Sequence, residues 1–355
     1  MAQITVDPLA STSFCPNSGV LIDFTAVGVF NPPNVFTAEL SDAFGSFASP
    51  TSLGTIASTT SGTVNATIPF GTPAGSGYLI RVNSDDPPMI GVTYGTSLTI
   101  FPQPSAGLSS SVTICSTMTS IDVYTSLGGT PDPGGTCSVV IGAGVIFGTL
   151  YSGASNGDIV RYTVLDANGC FDQAQVVITV VQAPDAGASN SITVCSTDPP
   201  FSMFAQLGSS PDAGGGWTNP GGSTHPNLFD PSVDPPGVYT YTVMGSPPCT
   251  NASSWLVITV NQAPNAGVDS TMSWCLTDGP FTMHAYAAGS PDVGGTWTYL
   301  GSPHSNILTP GVDPSGPYVY TVNGIAPCSN SSATLTVNVN TLCFVTTPTG
   351  VLPTY

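Results

Sequence analysis

Apolar and polar residues alternate along this chain in short runs, and the runs come back. Residues 174–180 read AQVVITV, residues 254–260 SWLVITV and residues 333–339 ATLTVNV. In the last run Leu335, Val337 and Val339 share one parity while Thr334, Thr336 and Asn338 share the other, which is the two-residue period of a half-buried strand. Each run closes a segment that opens on another strand (SVTIC at 111–115, SITVC at 191–195, TMSWC at 271–275) and carries a third (VRYTV at 160–164, VYTYTV at 238–243, YVYTV at 318–322). Runs of helix formers at 3.6-residue spacing are missing, and Glu39 is the sole glutamate. Short strands separated by Gly/Pro turns predict an all-β fold, a tandem array of four immunoglobulin-like antiparallel β-sandwich domains.

The array reading rests on a period of about 80 residues, long enough for one structural unit per repeat. The turn GTPDPGGTC at 129–137 returns as SSPDAGGGW at 209–217 and GSPDVGGTW at 289–297. Gly107, Gly187 and Gly267 recur in the same way, as do Tyr162, Tyr241 and Tyr320. The predicted domains are an N-terminal sandwich at 1–102 and repeat modules at 103–181, 182–261 and 262–340. They are joined by the short proline-bearing linkers that begin at Gln103, Gln182 and Gln262. Residues 341–355 follow the last module as a tail, either an ordinary frayed terminus or a strand added to an exposed edge of another subunit.

Cysteine keeps the same period. Cys115, Cys195 and Cys275 open the modules, and Cys170, Cys249 and Cys328 follow them at a nearly constant separation, so the spacing predicts one disulfide within each module. Paired cysteines in β modules imply an oxidising, extracellular location. Three of the nine cysteines fall outside this scheme: Cys15, Cys137 and Cys343. Cys15 and Cys343 stand near opposite ends of a linear array, where a head-to-tail bond between subunits would use them.

Charge narrows the function classes. Only 6% of residues are charged, Arg81 and Arg161 are the only cations, and the net charge is -18. Nucleic acid and anionic membrane surfaces need clustered Lys and Arg, so both are excluded as partners. No apolar stretch reaches the length of roughly 18 residues that a membrane span needs. Arg81, inside a predicted strand, is expected to pair with Asp85 or Asp86.

The sequences SITVCSTDPPFSMFAQLGSSPDAGGGWTNPGG and VYTYTV…CTNASSWLVITV resemble repeat modules of large secreted surface proteins and adhesins of gliding, type IX-secreting bacteria. The first hundred residues, with SFCPNSG and GTPAGSGYLIRVNSDDPP, are similar to a domain that accompanies such repeats. The resemblance spans roughly residues 10 to 340 and implies an extracellular or cell-surface location, a role in adhesion, matrix or filament, and no enzymatic activity. Module one departs from the pattern, with Cys137 where Trp217 and Trp297 stand in the others.

Candidate chemistry is sparse. Ser155 in GASNG matches a nucleophile-elbow string but lies in a loop before a strand, without the following helix that an elbow needs. His225 and His304 occupy equivalent places in different modules, and His284 sits in a strand-like FTMHAY, so no histidine pair for zinc is expected. Asp132, Asp212 and Asp292 read as turn residues, with calcium as the alternative because carboxylates at loop corners suit that ion. No other cofactor is expected. Asn65, Asn251 and Asn330 head N-x-S/T sequons, and Ser270 is an O-glycosylation candidate. The sequence thus predicts a non-enzymatic structural segment of a surface fibre or adhesin that self-associates end to end and meets glycans or environmental surfaces. The alternative is a carbohydrate- or ligand-binding array in which Trp217, Trp297 or Trp255 stacks on sugar rings.

Overall fold

The computed structural model describes residues 2–341, and they form an all-β protein with several separate sheets. Helical structure among the described residues is confined to one turn at Val123–Ser126 and two 3-10 turns at Phe204–Gln206 and Met283–Tyr286. The described residues divide into two compact units, one running to Gln182 with Pro247–Cys249 added, the other covering Ala183–Ser246 and the described residues from Thr250.

Within the first unit, the N-terminal segment builds three small sheets around a core that includes Ile22, Phe24, Phe36, Val64 and Val82. Strand Val35–Leu40 pairs antiparallel with Ile80–Asp85, which sets Glu39 opposite Arg81. The Arg81 Nη2 lies 2.7 Å from Glu39 Oε2, and the guanidinium stacks 4.2 Å from the Phe47 ring centroid. Arg81 therefore pairs across the sheet and not with Asp85 or Asp86, because cross-strand neighbours on one face are closer than residues further along the same strand.

The repeat has one construction throughout. In module one the opening strand Ser110–Cys115 runs parallel to the closing strand Phe171–Val181, which pairs antiparallel with Ile159–Leu165, and that in turn with Thr136–Ile141. In the second unit Asn190–Cys195, Ala252–Asn261, Gly237–Val243 and Gly216–Thr218 repeat the order, as do Ser270–Cys275, Ser331–Asn340, Gly316–Val322 and Thr296–Tyr299. The alternation read from sequence is the burial pattern: Ala333, Leu335 and Val337 are buried on the last closing strand while Thr334 and Thr336 are not. Buried side chains gather in one cluster per repeat as well as in the N-terminal segment.

The recurring Asp, Tyr and Gly residues form one clasp. Tyr241 Oη donates to the Asp212 carbonyl at 2.8 Å and accepts the Gly215 N–H at 2.9 Å. The Asp212 carboxylate accepts the Asp185 N–H at 2.9 Å while the Asp212 N–H donates back to the Asp185 carbonyl at 2.8 Å, fastening the linker to the turn. Tyr162 with Asp132 and Tyr320 with Asp292 repeat the arrangement. Glycine is required at 187 because its φ is +77° and a Cβ would sit 2.7 Å from the Gly208 carbonyl oxygen.

The parallel pairing overturns the expected disulfides. Cys115 lies opposite Val181 at one end of the closing strand, while Cys170 immediately precedes Phe171 at the other. Eleven residues of strand at ~3.3 Å each put them about 36 Å apart, against roughly 7 Å at most between the Cα atoms of a disulfide. The bonds formed are Cys15–Cys170, Cys115–Cys249 and Cys195–Cys328. Each joins consecutive repeats, or the N-terminal segment to the first repeat, and none closes a single repeat. Cys275 is disulfide-bonded as well, and not to Cys328. Cys15 is consumed within the chain, so it does not supply a head-to-tail bond between subunits. Cys343 and the tail expected to act as an inter-subunit strand lie outside the described residues.

Replacing Tyr241 by Phe removes both hydrogen bonds of the hydroxyl and leaves the Gly215 N–H and the Asp212 carbonyl without it, a loss of about 1–3 kcal/mol. The expected outcome is a lower urea midpoint for Y241F, with the half-exposed Tyr286→Phe change leaving the midpoint in place.

Candidate functional site

The features that recur with the most distinctive chemistry are the disulfide junctions. At the junction in the second unit, Cys195 ends its strand and its N–H donates to Asp198 Oδ2 at 2.8 Å, which holds the turn that follows. Cys328 sits in the hairpin between the last two strands of module three, with its Sγ 3.3 Å from the Asn261 carbonyl oxygen. Asn261 Nδ2 donates to the Ala326 carbonyl at 2.7 Å, and the Ala263 N–H donates to Ser196 Oγ at 2.9 Å. The end of one repeat's first strand and the hairpin of the next are thus bound by a covalent bond and flanking hydrogen bonds.

The first unit builds its junctions alike. Cys15 and Cys170 have Cα atoms 5.4 Å apart, Gln103 Nε2 donates to the Phe171 carbonyl at 2.9 Å, and a hollow of about 320 Å³ beside the bond is lined by Asn17, Phe70, Gln103 and Asp172. Cys249 places its Sγ 3.3 Å from the Val181 carbonyl oxygen, as Cys328 does with Asn261. In the chain-entropy model, loops of 133 to 155 residues stabilise by about 5 kcal/mol each when closed alone. These loops overlap, so the three contributions are not independent.

Asp132, Asp212 and Asp292 each spend a carboxylate oxygen on a backbone N–H of the linker. Among the described residues no group of three or more His, Cys, Asp or Glu side chains is gathered closely enough to hold a metal ion. Sequence reasoning missed a repeated histidine latch. His225 Nδ1 lies 2.7 Å from the Pro226 carbonyl and Nε2 3.2 Å from Asp234 Oδ1; His304 repeats both distances with Ser305 and Asp313. The common spacing from His225 to Asp234 and from His304 to Asp313 was the available signal. Both ring nitrogens face protein acceptors, a carbonyl on one side and a carboxylate on the other. His284 stands apart, its ring edge-on to Tyr320 at 5.3 Å. Ser155 lies in the loop before strand Ile159–Leu165, its N–H donating to Asp158 Oδ2.

Trp217 and Trp297 are 4% exposed and pack on Tyr241 and Tyr320 at 5.1 and 4.9 Å, so they are core residues and not sugar platforms. Cys137 takes their register position opposite Tyr162 and is a free thiol, its pKa pushed up by burial and then by the charge of Asp122. Trp255 projects from the outer face of its strand and is 54% exposed. Asn65, Asn251 and Asn330 are exposed, and the latter two accept a backbone N–H through Oδ1 from Gly245 and Gly324. Ser270 is corrected as a glycan acceptor, because its Oγ is buried and out of reach of a transferase on the folded protein.

The three disulfides formed between described residues indicate an oxidising environment, extracellular or periplasmic. No helix among the described residues is long and apolar enough to cross a membrane. Tyr239 and Tyr318, which donate to the Pro235 and Pro314 carbonyls, are pushed up to about 12 by burial and then by Asp234 and Asp313 respectively. A phenol pKa raised on folding stabilises the folded state fully below the ordinary value near 10, and that stability is lost as pH climbs towards about 12. The unfolding midpoint should therefore hold to pH 10 and fall steeply from 10 to 12, with a shallower fall in Tyr239→Phe/Tyr318→Phe, as followed by circular dichroism.

No protein-family model and no curated protein matches the chain. Among solved structures, the three N-terminal domains of the bacteriophage RB49 highly immunogenic outer capsid protein (Hoc) are 14% identical, at 73% coverage of this chain and 99% of that one, with a TM-score of 0.22. Trypsin-activated alpha-2-macroglobulin from Escherichia coli is 10% identical over 95% of this chain and 31% of its own, with a TM-score of 0.19. An endo-fucoidan hydrolase of glycoside hydrolase family 107 is 12% identical over 74% and 44%, at 0.17. TM-scores this low carry no functional argument.

Proposed function

We propose that this chain is a non-catalytic structural segment or subunit of an extracellular surface fibre or adhesin, made of four immunoglobulin-like sandwiches in series. The observation that carries the reading is the disulfide pattern, in which every described pair joins one repeat to the next or the N-terminal segment to the first repeat. An enzyme gains little from covalent ties between repeats, whereas a strut gains resistance to separation of its parts. The surface composition supports the same reading. With 6% charged residues, solubility outside the cell rests on Ser, Thr and Asn, with the sequon asparagines as glycan carriers. End-to-end self-association and contact with glycans or environmental surfaces belong to this proposal, with no cofactor; Asp132, Asp212 and Asp292 act as turn residues that fasten the linkers. Ligand binding by the array is the second reading, and the exposed Trp255 is what favours it.

Negative-stain electron microscopy of the purified protein is expected to show rods or filaments. Globular particles with hydrolytic activity would overturn the proposal. A glycan array should show no binding that Trp255→Ala abolishes; such a loss in a folded variant would move the assignment to the second reading.

A further inference from the structure

We infer that the interleaved disulfides make this chain an inextensible tether, whose shortest covalent route bypasses most of the protein. This stands on connectivity alone and goes beyond the fibre reading. Starting at Cys15, the route crosses the first bond to Cys170, follows the chain only as far as Cys195, and crosses a second bond to Cys328. With all three bonds reduced, the route from Cys15 to Cys328 is the whole intervening sequence. At ~3.4 Å per extended residue, the oxidised route is about 85 Å of chain plus two disulfides, against roughly 1,060 Å for the reduced one.

The composition of the stretch from Cys170 to Cys195 strengthens the point. Strand Phe171–Val181 and strand Asn190–Cys195 make up most of it, and both are already extended. Residues 182–189 between them hold the only slack, and the clasp from Asp185 to Asp212 starts within that span. Pulling on the two ends therefore draws one strand–linker–strand segment taut before any core is peeled apart. Tension reaches the peptide bonds and the outer two disulfides along this route, and the chain off the route carries none of it.

The three bonds also have unequal roles. Cys115–Cys249 lies off the shortest route, so its loss leaves the limiting length unchanged. Without Cys15–Cys170, the route must run along the chain from position 15 to Cys115, cross to Cys249, and return along the chain to Cys195. That detour lengthens the path between Cys15 and Cys328 by about 440 Å at ~3.4 Å per residue.

Single-molecule force spectroscopy on the whole chain, with handles at Ala2 and Asn340, tests this. With the terminal stretches included, the oxidised protein is expected to reach a limit of about 170 Å, and adding reductant to the same tether should release about 1,000 Å more. Cys115→Ser/Cys249→Ser should keep the oxidised limit, while Cys15→Ser/Cys170→Ser should lengthen it by about 440 Å. Stepwise unfolding of the oxidised wild type beyond the short limit overturns the inference, and so does a middle-pair variant that lengthens. Because the reductant comparison uses one unmutated molecule, poor folding of a variant does not decide the outcome. Filaments in the microscope together with a long oxidised tether would leave the proposed function standing and remove this inference.

Discussion

Everything distinctive in this molecule depends on the parallel pairing of each repeat's first strand with its last. Parallel strands that are first and last in sequence place the chain's exit beside the end of the opening strand, Cys115 beside Val181 and Cys195 beside Asn261. The hairpin that precedes the closing strand then lies a whole strand away. A cysteine at each place cannot meet its sequence neighbour in the repeat, but each can meet the complementary cysteine of the next repeat. The covalent order of the protein follows from that register.

The cores are small, and the rest of the construction compensates. Each repeat in the second unit buries only about ten apolar side chains, among them Trp217, Tyr239 and Tyr241 in module two and Trp297, Tyr318 and Tyr320 in module three. Small cores supply little stability beyond the entropy of ordering the chain. The Asp–Tyr–Gly clasp, the histidine latch and the disulfides restrain linkers, turns and hairpins that apolar contacts leave loose. Buried tyrosine suits this role because its ring fills the core while its hydroxyl satisfies backbone groups at the core's edge. With almost no cations to pair with, carboxylates that accept backbone N–H groups, together with the disulfides, do what ion pairs do in other proteins.

Much of this was legible without coordinates. The alternating runs gave the strands and their buried faces, as Leu335 and Val337 illustrate, and Asp132, Asp212 and Asp292 were recognisable as turn residues. The misreadings share one cause, which is that local spacing does not say what lies across a sheet or between repeats. Arg81 found Glu39 on the neighbouring strand, Ser270 turned its hydroxyl inward, and Cys170 came to rest a strand's length from Cys115.

The cysteines show the division most plainly. By itself the sequence determined that they recur with the repeat and so belong to its construction, because a period in residues is a period in structure. The pairing within each module that the spacing predicted is not the one formed, since for Cys115 a partner at a separation of 134 fits the same periodicity. Only the tertiary structure decided it: a strand of eleven residues is too long for a disulfide to span, so the bond has to reach the next repeat.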